Sequence, residues 1–600
     1  MTPDQVRLLN TVEHHLEGGR PDEAQKVLDR VAREIPDAPR VWWARATLAQ
    51  MRGDSAGAES ALRRTAALDP AAPYALTALG ELLYDQDRGE EAKAAWREAH
   101  ERDPRFLPAT MSLAEYLVST GDPAGAVAVL DRGLAGGRDP GLSTLRAQAQ
   151  MERGETQAAL ADYREAVAAS NGSPQALHNL ALALIIAGEA ADGEAVARQA
   201  LALQPTTASL WQVLGQALLA RDALSEAQDA FETGLKHDPQ HPGCHRDLSQ
   251  LIWMRTGEVS AALARVDAAL EEAKGFSPLT VVKGKLLEYV GDLDGARQVL
   301  ATAANLPGAP NYLLCAASQV LLGSDRLQAA TLAAQAVGRA PRDTFGLATL
   351  AQAQLAAGDI DGAELTAGRI RRLAPLDQHG LALQATAWRL KDDPRYRALY
   401  DYDALVRTSV IDTPEGWSDL DGYLADLEKA LAKLHGHEAH PIGQSLRGGT
   451  QTNVRLEKSD DPAIRAFFQA IDAPIRAYIA GLGEGDDPVR GRITGGYKLA
   501  GSWSIRLRPG GHHVDHLHHK GWISSAFYVA LPASVRGEGD QGSLRFGQPG
   551  TPTRPPVEAE FRVKPRPGLL ALFPAYMWHG TDPFEGEDAR LTIAFDVVPA

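Results

Sequence analysis

One spacing governs most of this chain. Prolines recur at Pro70, Pro104, Pro140, Pro174, Pro205, Pro239, Pro310, Pro341 and Pro375, and most neighbouring steps are 31 to 36 residues. Glycines keep a second phase at Gly53, Gly89, Gly121, Gly154, Gly188, Gly257, Gly291, Gly323 and Gly358. Each glycine falls between two Ala- and Leu-rich helical stretches, where the turn calls for a left-handed residue. Such a chain stacks short helical hairpins, each burying its face on the next, instead of building one large core. The interior of the units agrees. One carries Leu79, Gly80, Leu83, Ala92, Trp96, Ala99 and Pro104, and another carries Trp211, Leu214, Gly215, Leu218, Ala227, Phe231 and Pro239. Small residues let two helices approach and bulky ones fill the gap between units.

This pattern resembles the tetratricopeptide repeat, a 34-residue helix-turn-helix, over roughly residues 5–380 in about ten copies. The reading makes Trp42, Trp96 and Trp211 packing residues and not a ligand cage. The resemblance places any binding function on the concave side of the array, where such repeats hold a peptide or protein.

Composition narrows the classes. The 600 residues carry 61 Lys and Arg against 77 Asp and Glu, a net charge of −16. No basic excess exists to offset phosphate repulsion, so nucleic acid and anionic membrane are not expected partners. Two cysteines, Cys244 and Cys315, exclude a disulfide framework and a Cys-rich zinc site. The first residues, MTPDQVRLLN, do not read as a secretory signal, and no run of 18 apolar residues occurs. The expectation is a soluble, cytoplasmic protein.

Beyond the repeats the grammar changes. Residues 381–440 read as a junction: a charged aromatic stretch, DDPRYRALYDYDALV, and then an amphipathic helix, EGWSDLDGYLADLEKALAKLHG. QSLRGGTQTN follows as a polar, Gly-rich loop. A helix over DPAIRAFFQAIDAPIRAYIAGLG carries Phe467, Phe468, Ile471, Ile475 and Ile479 at helical spacing and is expected to back a sheet. From Tyr497 the text turns to strands separated by turn residues: GYKLAGSWSIRLRPGG, GWISSAFYVALP, GSLRFG, FRVKP, GLLALFP and RLTIAFDVVP. Many short strands of this kind predict a sandwich or barrel.

Chemistry concentrates in that last part. GGHHVDHLHHKGW holds His512, His513, His516, His518 and His519, with Asp515 among them, and His579 follows in LFPAYMWHGTDPF. Imidazole is a common ligand for iron, zinc or copper. On extended chain, residues i and i+2 share a side, so either His516 with His518 or His513 with Asp515 can join His579 on one metal. Three ligands on one side leave open positions, the arrangement of non-heme Fe(II) oxygenases. Eleven residues past His579, Arg590 opens a strand whose Leu591, Ile593 and Phe595 face one way and Arg590 and Thr592 the other. An arginine beside a metal can grip a carboxylate with two hydrogen bonds. Trp522, Tyr576, Trp578 and Phe584 flank the histidines and are candidates both for a pocket wall and for plain core.

The histidine pair, the late histidine and the arginine beyond it resemble the 2-oxoglutarate/Fe(II)-dependent oxygenase superfamily, whose fold is a double-stranded β-helix. SWSIRLRPGG, HVDHLHHKGWISSAFYV and LFPAYMWHGTDPF…RLTIAFDVV are similar to a bacterial branch of it often attached to tetratricopeptide repeats, and QSLRGGTQT resembles that branch's entry segment. The likeness covers about residues 395–600. It implies iron held by His516, His518 and His579, with His518 standing where many members have an acidic ligand. It implies 2-oxoglutarate held through its far carboxylate by Arg590, with Thr592 beside it and Tyr528 as a phenol on the same group. Three imidazoles lack the usual carboxylate, and Asp515 is the candidate to supply that charge, as ligand or as a partner behind one.

The expected fold is therefore multidomain: an all-α tetratricopeptide superhelix over residues 1–380, then junction helices and a double-stranded β-helix (jelly-roll) domain over residues 381–600. The resemblance implies an Fe(II)- and 2-oxoglutarate-dependent dioxygenase, a hydroxylase that consumes O2, with ascorbate as a candidate stimulant and a peptide or protein recruited by the repeats. Two other readings compete. One is a non-catalytic scaffold with a vestigial metal-binding β-domain, and the other is an oxygenase of a small metabolite.

Overall fold

Helical periodicity becomes helical hairpins. The computed structural model describes residues 1–273, 278–441, 443–519 and 521–600. They divide into two compact units, Met1–Gly172 and Ser173–Ala600. In the first, paired helices run from Pro3–Glu17 with Pro21–Glu34 to Pro140–Glu152 with Thr156–Ala169. In the second they run from Pro174–Ile186 with Ala190–Leu203 to Thr344–Ala357 with Ile360–Leu373, followed by Gln378–Leu390.

The punctuation works largely as the spacing suggests, with local corrections. Pro70, Pro104, Pro205, Pro239, Pro341 and Pro375 lie just beyond a helix end, whereas Pro140 and Pro174 open the next helix. That position suits proline, whose missing N–H is not needed in the first turn. Gly89 is likewise the first residue of a helix, and Asp87 supplies the left-handed turn at φ 61°. Glycine at 89 answers a packing need, since a Cβ there would lie 2.7 Å from the Tyr116 hydroxyl. Gly323 is not among the glycines with positive φ.

Inside the hairpins, small-against-large packing is literal. A Cβ on Gly80 would lie 2.4 Å from Trp96 Nε1, and one on Gly215 would lie 2.3 Å from the Phe231 ring. Trp96 is buried and its Nε1–H donates to the Thr77 carbonyl at 3.1 Å. Trp42 and Trp211 are half-buried and donate to the carbonyls six residues before them, at Pro36 and Pro205. All three are packing residues.

After the repeats come short helices at Arg395–Leu399 and Tyr402–Leu405 and a longer one at Leu420–Ala432. The single helix expected around residues 461–483 is two, Pro462–Ala470 and Asp472–Leu482, with Pro474 in the first turn of the second. They do back the sheet: Phe467 lies 4.8 Å from Phe527 and 6.2 Å from Phe595, centroid to centroid.

The strands are β1 (Arg407–Val410), β2 (Leu446–Gln451), β3 (Tyr497–His513), β4 (Ile523–Ala530), β5 (Leu544–Phe546), β6 (Phe561–Val563), β7 (Leu569–Pro574), β8 (His579–Thr581) and β9 (Arg590–Pro599). One antiparallel sheet has the order β1-β7-β4-β9-β3-β2 and a smaller one the order β6-β5-β8. β2 corrects the expectation of a loop at QSLRGGTQTN. Two adjacent glycines weaken strand propensity, but tertiary context overrides it: Gly449 pairs with Leu507, where a Cβ would meet the Arg506 carbonyl at 2.4 Å. One buried core in the second unit runs from Leu347, Leu381 and Trp388 of the last repeats to Phe527, Phe573 and Phe595 of the sheet.

Two substitutions test the packing with opposite sign. Gly215→Ala gains about 1 kcal/mol of helix propensity but overpacks Phe231 at a cost of about 1–3 kcal/mol. Gly338, in helix Arg326–Arg339, has nothing within 4 Å of its notional Cβ. Thermal unfolding of the full chain should show a lower transition for Gly215→Ala and an equal or higher one for Gly338→Ala.

Candidate metal and anion site

Strand pairing brings the distant histidines together. His516 and His579 form an isolated antiparallel bridge, each backbone N–H donating to the other's carbonyl at 2.8 and 2.9 Å. The His518 N–H donates to the Ala575 carbonyl at 3.0 Å and fixes the next turn of chain. Ring centroids are then 4.2 Å apart for His516 and His579, 5.3 Å for His516 and His518, and 5.2 Å for His518 and His579. Their ligand nitrogens all lie within 4.8 Å of one another.

The backs of the rings decide what the fronts can do. His516 Nδ1–H donates to the Val514 carbonyl at 2.9 Å, and His579 Nδ1–H to the Met577 carbonyl at 2.9 Å. His518 Nδ1–H donates to the Asp596 carboxylate at 2.6 Å, and Ser524 Oγ–H donates to the same carboxylate at 2.7 Å. With each Nδ1 engaged as donor, each Nε2 keeps its lone pair. His516 Nε2 and His518 Nε2 stand 3.3 Å apart, so two lone pairs face each other and call for a proton or a cation between them. Burial pushes the His516 imidazole down to about 3 and holds His579 well below its ordinary value. Burial also pulls on His518, but Asp596 outweighs it and the net direction is up. The donor set, three oriented imidazoles with converging lone pairs, fits a divalent transition metal.

Asp515 does not join them. It pairs with Arg545 through two hydrogen bonds, at 3.0 and 2.7 Å. Burial raises its pKa and Arg545 opposes that rise. His513 stays close but outside the triad, its ring stacked 5.8 Å from His516, with Ser445 Oγ between His513 Nδ1 (2.9 Å) and His516 Nε2 (3.1 Å). His512 is half-buried with its Nδ1 3.4 Å from the Gly510 carbonyl, and His519 packs edge-on against His379 at 5.0 Å. The carboxylate that accompanies the imidazoles is Asp596. Its signal was present in the alternation that places Arg590 and Thr592 together, since two further steps along β9 reach residue 596.

The same side of β9 meets a cavity of about 500 Å³, lined by the three histidines, His513, Arg590, Thr592 and Asp596, with Trp503 and Phe573 among its apolar walls. Trp503 stacks 5.8 Å from His518, and Phe573 meets His579 at 4.7 Å. Trp522, Tyr576, Trp578 and Phe584 are core instead. Trp522 donates to the Val489 carbonyl, Tyr576 to that of Leu399 and Trp578 to Thr386 Oγ1.

Arg590 is 2% exposed. Its Nη1–H donates to the Gly542 carbonyl at 2.9 Å, its Nε has no partner, and among the described residues no carboxylate pairs with it. Tyr528, opposite Thr592 in the β4–β9 register, places its ring 5.1 Å from the guanidinium carbon, and its buried hydroxyl has no hydrogen-bond partner among the described residues either. Burial lowers the Arg590 pKa and raises that of Tyr528. An unneutralised buried guanidinium beside an unsatisfied phenol is costly, and an anion in the cavity would answer both.

Comparisons with known proteins agree with these two parts. Residues 3–244 match the family model described as "Tetratricopeptide repeat". Residues 501–596 match the one described as "Putative 2OG-Fe(II) oxygenase". Among solved structures, yeast Tom70 aligns at 15% identity, covering 66% of this chain and 97% of its own, with a TM-score of 0.35. A tetratricopeptide repeat protein from Parabacteroides merdae aligns at 17% identity, covering 42% of this chain and 98% of its own, with a TM-score of 0.31. No curated protein matches. The chain joins a tetratricopeptide-repeat array to a domain that matches the 2OG-Fe(II) oxygenase family.

Proposed function

We propose that the protein is an Fe(II)- and 2-oxoglutarate-dependent oxygenase that hydroxylates a C–H bond of a peptide or protein recruited by its repeats. One observation carries the reading: three oriented imidazoles and one buried, unneutralised guanidinium share a single cavity. The strand orders β7-β4-β9-β3 and β6-β5-β8 support a double-stranded β-helix around it. In this reading residues 1–380 recruit and residues 381–600 react.

His516, His518 and His579 would hold iron through Nε2, and Arg590, Tyr528 and Thr592 would hold the far carboxylate of 2-oxoglutarate. When bound, that pair supplies the oxidising power: one oxygen atom of O2 enters the substrate C–H bond and the other enters succinate, with loss of CO2. The chain supplies orientation and charge. The three Nδ1–H donors keep the rings from rotating away. Asp596 adds, through His518, the negative charge that a ligating carboxylate would otherwise bring. Trp503, Phe573, Leu517 and Ile593 line a largely apolar wall that keeps bulk water from the reacting carbon.

Two measurements test this. Purified protein with Fe(II), ascorbate and 2-oxoglutarate should release succinate. His579→Ala should abolish release together with stoichiometric Co(II) binding, and Asp596→Asn should weaken anaerobic Co(II) binding by about 10–100-fold. Wild-type protein that binds neither metal would end the reading. Arg590→Gln should raise the 2-oxoglutarate KM by roughly 30-fold or more while leaving metal affinity near wild type. An unchanged KM would remove Arg590 from the cosubstrate site.

A further inference from the structure

Arg590 is not the only guanidinium on the cavity wall. Arg447, on β2, lines it as well, together with Gln444, Ser445 and Gln451 of the same segment. Its Nη1–H donates to the carbonyls of Gln444 at 2.8 Å and Leu446 at 2.9 Å. Those bonds hold the head group in place without neutralising it, and among the described residues no carboxylate pairs with it. Burial lowers its pKa, opposed by Tyr289 and Glu288.

A further neighbour comes from the repeats. The guanidinium carbon lies 5.7 Å from the ring centre of Tyr289, on helix Leu279–Val290, and Tyr289 itself lines the cavity. The approach is pinned on both sides. Tyr289's carbonyl accepts from His440 Nε2 at 3.4 Å, and Trp253 Nε1–H donates to the His440 carbonyl at 2.9 Å. The N–H groups of Glu438 and Ala439 both donate to the Met254 carbonyl. Arg447 thus has a fixed position and an aromatic backing and, among the described residues, no carboxylate paired with it.

That position is close to the imidazoles. Ser445 and Arg447 both face the cavity, while Leu446 between them is fully buried. Ser445 Oγ is 3.1 Å from His516 Nε2. Two residues of extended chain advance about 7 Å, so Arg447 enters the same cavity wall one short step along the chain from the residue that touches the imidazoles. In the proposed function Arg590 already serves the cosubstrate, which leaves Arg447 for something else.

We propose that Arg447, backed by Tyr289, is a subsite for a carboxylate carried by the substrate. The substrate is then an acidic side chain of a peptide or a small carboxylic acid, held where the repeat helix meets β2. The assignment rests on the oxygenase reading for what happens to the neighbouring carbon, but not for the binding itself.

Binding is measured on the full chain with heptapeptides, capped at both ends, that differ only at a central Asp, Asn, Glu, Gln or Lys. Capped single Asp and Asn serve as small probes. The Asp and Glu peptides should bind about tenfold tighter than their amide twins. Arg447→Gln should erase that preference, Arg447→Lys should keep part of it, and Tyr289→Ala should weaken it. 2-Oxoglutarate affinity should stay within about twofold in Arg447→Gln. Capped Asp binding as well as the peptide identifies a small acid, and binding by the heptapeptides alone identifies a peptide. Charge-blind binding, no binding of any acidic probe at millimolar concentration, or a preference that survives Arg447→Gln overturns the subsite. A preference that persists in a protein releasing no succinate would sink the oxygenase reading and leave the subsite standing.

Discussion

Three N–H groups on the far sides of three rings hold this site together. A buried imidazole has two tautomers and two ring orientations, and only a partner behind it removes the ambiguity. Here His516 and His579 use backbone carbonyls two residues upstream, while His518 uses Asp596. The backbone partners are neutral and available wherever the chain turns this way. The carboxylate is different, because it adds charge as well as direction. A metal ion among three neutral imidazoles carries its full positive charge. One carboxylate a hydrogen bond away returns part of what a directly bound one would supply, without occupying a coordination position.

Charge also explains what the cavity favours. The chain as a whole is strongly acidic, yet the cavity presents Arg590 and Arg447, and the carboxylate among its described lining residues, Asp596, is already committed to His518 and Ser524. Cationic groups with apolar walls around them concentrate field into the interior, which favours an anion in the cavity over one at the acidic surface. Tyr528 adds a hydroxyl that bonds to none of the described residues. These groups are costly to bury alone and become favourable when an anion arrives.

Much of this was legible in the sequence, and the reasons differ by level. The repeats were visible because a stacked hairpin must recur in phase. The cluster was visible because imidazoles at i and i+2 seldom crowd one stretch of chain without a purpose. Asp596 was missed, although the alternation from Arg590 pointed to it, because nothing in a linear text says that residue 596 lies behind residue 518. β2 was missed because Gly448 and Gly449 read as a loop, and only the approach of the β3 backbone reveals why no side chain fits there. Arg447 and Tyr289 were invisible for the same reason. Their meeting is made by Glu438, Ala439, His440 and Arg447 reaching helices 158 to 187 residues earlier in the chain.

That last contact belongs to a wider union. Trp578, next to His579, donates to Thr386 on the helix that follows the last hairpin, and Arg389 on that helix donates to the carbonyls of Gly547 and Glu558. Glu560 receives hydrogen bonds from Tyr396, Tyr402 and Arg397 and lies 3.4 Å from Arg389. Arg554 N–H donates to the Leu355 carbonyl, inside the last repeat. Together with a continuous buried core, these bonds make the final repeats part of the wall that carries the histidines. A flexible tether would merely raise the local concentration of a substrate. In the proposed function a shared core would go further and fix the direction from which a substrate held by those repeats reaches the cavity, so that orientation would be built in before binding begins.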